Sequence, residues 1–247
     1  MNPAFAERYN DFTTWHWWFR GREHILGSVL RRELSDDGSR VIVSLGCGPA
    51  SWLDWLVPFA GPGGQVVGVD IDSSHSGSLD QRTAFVASPA EQVGLRSGCA
   101  DVVLALDLLE HLEDDSVALR EAARLARQPG LIVVTVPALS SLWGQQDEVS
   151  NHHRRYRKDL LREAFSRAGL PRPRISYFNC ILFPPIAAVR WLRRATGAPV
   201  RNRSDFEYGR PGRANDVLAA IFGLERHLVY RLPLPIGVSL LATARIG

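Results

Sequence analysis

Gly46 and Gly48, in Leu45-Gly46-Cys47-Gly48 directly after the apolar run Arg40-Val41-Ile42-Val43, are the residues of this chain best suited to chemistry. A glycine turn between a strand and a helix lets backbone N–H groups approach a ligand closely, and the helix end behind it favours polar or anionic groups. Roughly 20 residues on, a second apolar run ends in Asp70, Ile71 and Asp72, and a carboxylate at a strand end accepts both hydroxyls of a ribose. Ser88-Pro89-Ala90-Glu91 and Asp107-Leu108-Leu109-Glu110-His111 follow the next two apolar runs, where they can position an adenine and close a groove. Each piece has a bland alternative: Gly-x-Gly as an ordinary turn, Asp70 as a helix cap. Their coincidence points to an adenosine-bearing cofactor.

Gly46-Cys47-Gly48-Pro49-Ala50-Ser51 lacks the Gly-x-Gly-x-x-Gly spacing of nicotinamide enzymes, which argues against a dehydrogenase. A second group of residues suits proton transfer. The segment from Pro137 to Tyr156 carries Trp143, Asp147, His152 and His153, and an imidazole gains and loses a proton near neutral pH. His153 or His152 is the candidate general base; the competing reading has them capping a helix or bonding Asp147. His111 is a rival that equally well braces the cofactor loop. Trp17, Trp18 and Trp143 either stack on an acceptor or fill a lid core.

These groups need a scaffold, and strand and helix patterns alternate along the chain. Strands are expected at 41–45, 65–70, 83–87, 101–106, 131–136, 174–180 and 237–245, and helices at 22–33, 51–59, 116–127, 158–168 and 215–232. Gly61-Pro62-Gly63-Gly64 breaks the first helix from the second strand, Arg127-Gln128-Pro129-Gly130 reads as a turn closing a helix, and Gly169 stops another. The alternation predicts an α/β fold with a mostly parallel sheet covered on both faces. One domain over residues 1–247 is expected, with an aromatic lid at 1–34 and substrate-side insertions at 137–157 and 183–235. The aromatic strip from Phe5 to Phe19 must pack on something, and Gly197 to Arg213 reads as a loop or lid.

Hydrophobic residues make up 45% of the chain and charged ones 22%, enough for a core and unlike a disordered segment. The formal charge of +3 is local, with arginine dominating from Arg154 onward, but no helix shows a sustained basic face and nucleic acid is not an expected partner. Three distant cysteines, Cys47, Cys99 and Cys180, suggest neither disulfides nor a metal site, and together with the lack of a signal-like amino terminus they favour a cytoplasmic location. The apolar run Ile181 to Val189 is too short to span a bilayer. With Arg190, Arg193 and Arg194 behind it, the run allows at most peripheral membrane contact; a core strand with a covering helix is the preferred reading.

Val43-Ser44-Leu45-Gly46-Cys47-Gly48, Val67-Gly68-Val69-Asp70-Ile71-Asp72 and Leu106-Asp107-Leu108-Leu109-Glu110-His111-Leu112 together resemble the class I S-adenosylmethionine-dependent methyltransferases, over nearly the whole chain. The resemblance implies a Rossmann-like sheet of seven strands with the last one antiparallel, and S-adenosyl-L-methionine as cofactor. It implies cofactor contacts from Ser44, Gly46, Cys47, Gly48, Asp70, Ile71, Ala90, Glu91, Asp107, Leu108 and His111, with Arg22 a candidate for the methionine carboxylate and a surface salt bridge as the simpler alternative. Trp15 to Arg22, Trp143 to Asp147 and His152 to Tyr156 look like one bacterial branch. Two positions depart from the family pattern: Ser44 stands where an acid usually helps hold the methionine amino group, and Ala50 replaces a third glycine.

The expected activity is O- or N-methylation of a small, partly apolar metabolite in biosynthesis, including secondary metabolism, by a monomer or homodimer. Ser44 and Ala50 motivate a rival, a non-methylating member of the fold such as a cyclase. A third reading is a catalytically silent partner protein, whose mark would be an exposed aromatic face from Phe12 to Phe19.

Overall fold

The computed structural model describes residues 11–34, 38–76, 79–196, 204–229, 231–232 and 234–247. Its strands are β1 (Val41–Leu45), β2 (Gln65–Asp70), β3 (Thr83–Ala87), β4 (Ala100–Leu106), β5 (Ala126–Pro137), β6 (Arg174–Phe178) and β7 (Ser239–Ile246). They form one seven-stranded sheet in the order β3-β2-β1-β4-β5-β7-β6, parallel from β3 through β5, with the last strand antiparallel. β4 is buried along its whole length, which is why it reads as a continuous apolar run.

The register sets the working edge. Leu45 at the end of β1 pairs with Val69 of β2 on one side and Ala105 of β4 on the other, so the turns leaving all three strands start at one edge of the sheet. The strand order reverses between β1 and β4, and a crevice outside the carboxyl ends at such a switch point is the usual ligand site of an open α/β sheet.

The helices are α1 (Trp17–Glu33), α2 (Val57–Ala60), α3 (Asp115–Leu125), α4 (Gln145–Val149), α5 (Lys158–Arg167), α6 (Phe183–Ala195) and α7 (Arg213–Gly223). The side chain of Asp114 accepts the Ser116 N–H at the start of α3, and Gly169 takes a left-handed φ of 71° after α5, as its stop position demands. No helix among the described residues is long and apolar enough to cross a membrane.

Two local expectations are corrected. The helix expected over 51–59 is instead a 3-10 stretch, Ala50–Leu56, running into the short α2. Pro58 has no N–H to give to Asp54 one α-turn back, and the Val57 N–H bonds Asp54 in the tighter 3-10 manner. Residues 127–130 do not close α3 as a turn; they belong to the irregular start of β5, where the register shifts between the Ala100–Ala126 and Val102–Leu131 pairs. Phe5 and the first part of the 197–213 loop lie outside the described residues; 205–208 form a 3-10 turn.

The chain divides into two compact units. One comprises Leu30–Val136, Lys158–Ile175 and Leu241–Gly247; the other comprises Met1–Val29, Pro137–Arg157 and Ser176–Leu240. In the first, which we call the sheet unit, Ile42, Val43, Leu53, Val66, Val103, Leu119, Leu125 and Val133 are sealed from solvent. In the second, the insertion unit, Phe19, Ile25, Leu142, Phe178 and Phe222 are buried, and the Phe178 and Phe222 rings stack 6.1 Å apart.

Candidate active site

In the sheet unit, Gly46 and Gly48 both take left-handed conformations, φ 59° and 63°. Only glycine adopts these without strain, and a Cβ added to Gly46 would sit 2.5 Å from Leu108 Cδ1. The turn is fastened to β2: Cys47 N–H bonds the Val69 carbonyl at 3.0 Å and Gly48 N–H bonds Asp70 Oδ2 at 2.8 Å. Asp70 Oδ1 accepts the Asp72 N–H at 3.0 Å and lies 3.3 Å from His75 Nδ1. Partial burial pushes the Asp70 carboxyl up, but His75 and the N–H groups of Asp72 and Gly48 outweigh it, and the carboxyl ends below its ordinary value. Asp70 is thus an ionised acceptor at the sheet edge. Burial and then the Asp70 charge push the Cys47 thiol far up, so Cys47 stays a neutral donor, bonding the Gly48 carbonyl at 3.2 Å.

The remaining candidates of this unit occupy the same edge. Ser44 is buried, and its Oγ has no hydrogen-bond partner among the described residues, nor does Oγ1 of the buried Thr135 on β5. Ile71 is 78% exposed, an apolar side chain left bare beside Asp70. Ala90 is buried and Glu91 half-buried after β3. Asp107 takes a φ of 54° and donates its N–H to the Thr135 carbonyl, which turns the chain out of β4. Leu108 presses on Gly46, and His111, half-buried, closes the 3-10 turn Leu109–His111. Sequence reasoning missed His75; its signal was the Asp70-x-Asp72-x-x-His75 spacing at a strand end.

In the insertion unit, the structure separates the two candidate bases. His153 is exposed, whereas His152 places Nδ1 2.9 Å from Asp147 Oδ1. Asp147, third in α4 and fully buried, accepts the Gly144 N–H at 2.8 Å and the Arg155 Nε–H at 2.7 Å, with Arg190 at 3.6 Å. Burial raises its carboxyl, but His152, Arg155 and Arg190 prevail and bring it down to about 2. A carboxylate that stays ionised can only accept, so His152 carries its proton on Nδ1, and in the neutral ring Nε2 holds the lone pair. Arg155 also bonds the Ala138 carbonyl at 2.9 Å, and Arg190 bonds Asp205 at 2.8 Å and the Leu142 carbonyl. Sequence reasoning named Asp147 as a partner for the histidines but missed both arginines.

Arg22 is buried, not the surface residue of the simpler expectation; its guanidinium lies over the Trp18 ring at 4.3 Å. Trp18 also meets Phe206 at 5.6 Å and Trp17 meets Phe222 at 5.7 Å, so both rings pack within the unit. The Trp143 indole N–H bonds Glu148 at 2.5 Å. His16 sits among Phe12, Trp15, Trp17, Phe19 and Phe206, accepts the Trp18 N–H on Nδ1, and is held by burial down to about 4.

Residues 43–134 match the methyltransferase domain family. A probable S-adenosylmethionine-dependent methyltransferase of Mycobacterium tuberculosis is 27% identical over 164 residues, 64% of this chain; the chain spans 57% of that relative's length. Among solved structures, a chain of the complex between the Haloferax volcanii Trm112 methyltransferase activator and a methyltransferase superposes with a TM-score of 0.61 at 19% identity, covering 98% of this chain and 94% of that one. Geranyl diphosphate C-methyltransferase of Streptomyces coelicolor A3(2) superposes with a TM-score of 0.57 at 15% identity, covering 89% and 79%.

Proposed function

We propose that this chain is a class I S-adenosylmethionine-dependent methyltransferase and that it transfers a methyl group to the oxygen or nitrogen of a small, partly apolar biosynthetic metabolite. The observation that carries the reading is the left-handed Gly46–Gly48 turn fastened to an ionised Asp70. The residues present suit the cofactor. Asp70 accepts ribose hydroxyls, bare Ile71 offers an apolar surface to a base, and the unpartnered Ser44 Oγ offers a hydroxyl where the family usually has an acid. Ala90, Glu91, Asp107, Leu108 and His111 complete the lining, and Cys47 contributes backbone and a neutral thiol.

The cofactor supplies a methyl group on a sulfonium, already activated for transfer. What the protein adds is orientation, exclusion of water and a place for the acceptor's proton. The candidates for that proton are His152, whose ring Asp147 orients, and the exposed His153. The half-buried ring of Trp143 favours a partly apolar acceptor. The three cysteines, all free, favour a cytoplasmic site of action.

Calorimetric titration with S-adenosylmethionine and with S-adenosylhomocysteine, followed by an acceptor screen read as S-adenosylhomocysteine release, tests this reading. Saturable binding of both and methylated product support it. Binding without methylated product of any acceptor favours the non-methylating reading, and no binding by folded protein favours the silent partner.

A further inference from the structure

Helix α6 breaks the usual rule for a surface helix. Such a helix turns an apolar stripe inward and a polar face to water. The inward side of α6 holds buried Ala187 and half-buried Phe183, Ile186 and Arg190, with the Arg190 guanidinium directed to Asp205 and the Leu142 carbonyl. Its outward side, Pro185, Ala188, Val189 and Leu192, contains no polar side chain; Val189 is 51% and Leu192 65% exposed, and Trp191 beside them is 50% exposed. The feature is regional. Nine of the eleven large hydrophobic residues exposed among the described residues lie between Ile181 and Ile236, so the sheet unit is ordinary and this part of the chain is not.

Charge selects what covers that face. Residues 176–240 carry nine arginines against four acids, and at the end of α6 Arg193, 3.9 Å from Asp205, and Arg194, which bonds the Trp143 carbonyl at 3.4 Å, both remain exposed beside the outward strip. A second copy set against the same face would bring these arginines together, a like-charge contact that opposes self-association. A nucleic acid would satisfy the arginines and leave Val189 and Leu192 in water. An anionic bilayer surface satisfies both, because its headgroups attract arginine while its acyl boundary accepts aliphatic side chains and a tryptophan. We propose that α6 lies in the plane of an anionic membrane surface, with Val189 and Leu192 inserted, Trp191 at the boundary with its indole N–H on the Ser141 carbonyl, and Arg193 and Arg194 toward the headgroups. This does not depend on the methyl-transfer reading.

Co-sedimentation of the full chain with vesicles tests it, using phosphatidylcholine alone and phosphatidylcholine mixed equally with phosphatidylglycerol. The protein is expected to sediment with the mixed vesicles, to be released by high salt, and to stay in solution with the neutral ones. Val189→Asp and Leu192→Asp, both at exposed positions, are each expected to lower the partition coefficient roughly tenfold or more while leaving the melting temperature unchanged. Wild-type protein that is folded yet ignores the mixed vesicles overturns the proposal, as does binding that both substitutions leave intact. Light scattering that shows a dimer dissociated by Leu192→Asp, without vesicle binding, assigns the face to a second copy instead.

Discussion

Asp147 holds His152 twice: its carboxylate accepts the ring Nδ1–H at 2.9 Å and its backbone carbonyl accepts the His152 backbone N–H, also at 2.9 Å. A histidine anchored through both its backbone and one ring nitrogen presents the other nitrogen in a fixed direction. The backbone bond, with Asn151 left-handed at φ 54°, is the C-cap of α4, so His152 both caps the helix and has its ring oriented by the Asp147 carboxylate.

With an acceptor substrate in hand, His152→Ala is expected to lower kcat by roughly 100-fold or more, and His153→Ala to change it little. Asp147→Asn is expected to act through the ring, lowering kcat about tenfold with little change in the KM for S-adenosylmethionine. Nitrogen NMR of labelled histidine separates positioning from folding. The wild-type His152 ring is expected to carry its proton on Nδ1, and the Asn variant to show both tautomers. An unchanged tautomer in a variant that has lost activity would sink the positioning role.

Acid stability is expected to carry the signature of His16. Its folded pKa of about 4 lies below the unfolded value of 6.5, so the unfolded chain binds the extra proton between them. The associated stability is full above pH 6.5, falls as pH drops toward 4 and is gone below that, a loss on the order of 3 kcal/mol. His16→Asn retains an acceptor for the Trp18 N–H but does not titrate. Urea midpoints at pH 7.5 and 4.5 are expected to differ clearly less in the variant than in the wild type.

Much of this was legible in the sequence, and the exceptions share a cause. β1 through β4 are written in short local runs whose partners are fixed by parallel register, so the placement of Gly46, Asp70 and Asp107 at the turns leaving β1, β2 and β4 was readable from the sequence. Arg190 meets Asp147 across a long stretch of chain, and no local pattern announces such a pair. Pro58 was visible, but its effect depended on which helical hydrogen bond the chain needed there. The outward face of α6 was invisible for another reason. Its apolar residues suit a core, and only the structure tells which of them a core covers.

Gly46→Ala is expected to weaken S-adenosylhomocysteine binding more than tenfold, because the new methyl group meets both a left-handed φ and Leu108 Cδ1. Gly98→Ala is the matched control, with a φ of 65° and nothing within 4 Å of the added Cβ. It carries the backbone penalty of about 1 kcal/mol without the collision. Calorimetry on both is expected to show weakened binding in the first and wild-type binding in the second. Equal binding in the two would remove the Gly46 turn from the cofactor site.

Glu225 offers a test of how the insertion unit satisfies its buried backbone. Oε1 accepts the N–H groups of Cys180 at 2.7 Å and Ile181 at 2.8 Å, while Oε2 has no partner among the described residues. Burial raises the carboxyl, the backbone N–H groups pull it back, and the net direction is upward. A carboxyl raised in the folded state costs stability as pH climbs above its unfolded value, with the full cost above the folded one. Glu225→Gln keeps an oxygen acceptor and removes that charge, so it is expected to match or exceed wild type at pH 8. Glu225→Ala abandons two buried N–H groups and is expected to lose about 2 kcal/mol or more at any pH, since each unpaired group costs roughly 1–3 kcal/mol. Denaturant midpoints at pH 5 and 8 distinguish the two. Should the Gln and Ala variants lose stability equally at pH 8, Glu225 is ionised and its charge has a partner that the hydrogen-bond pattern does not reveal.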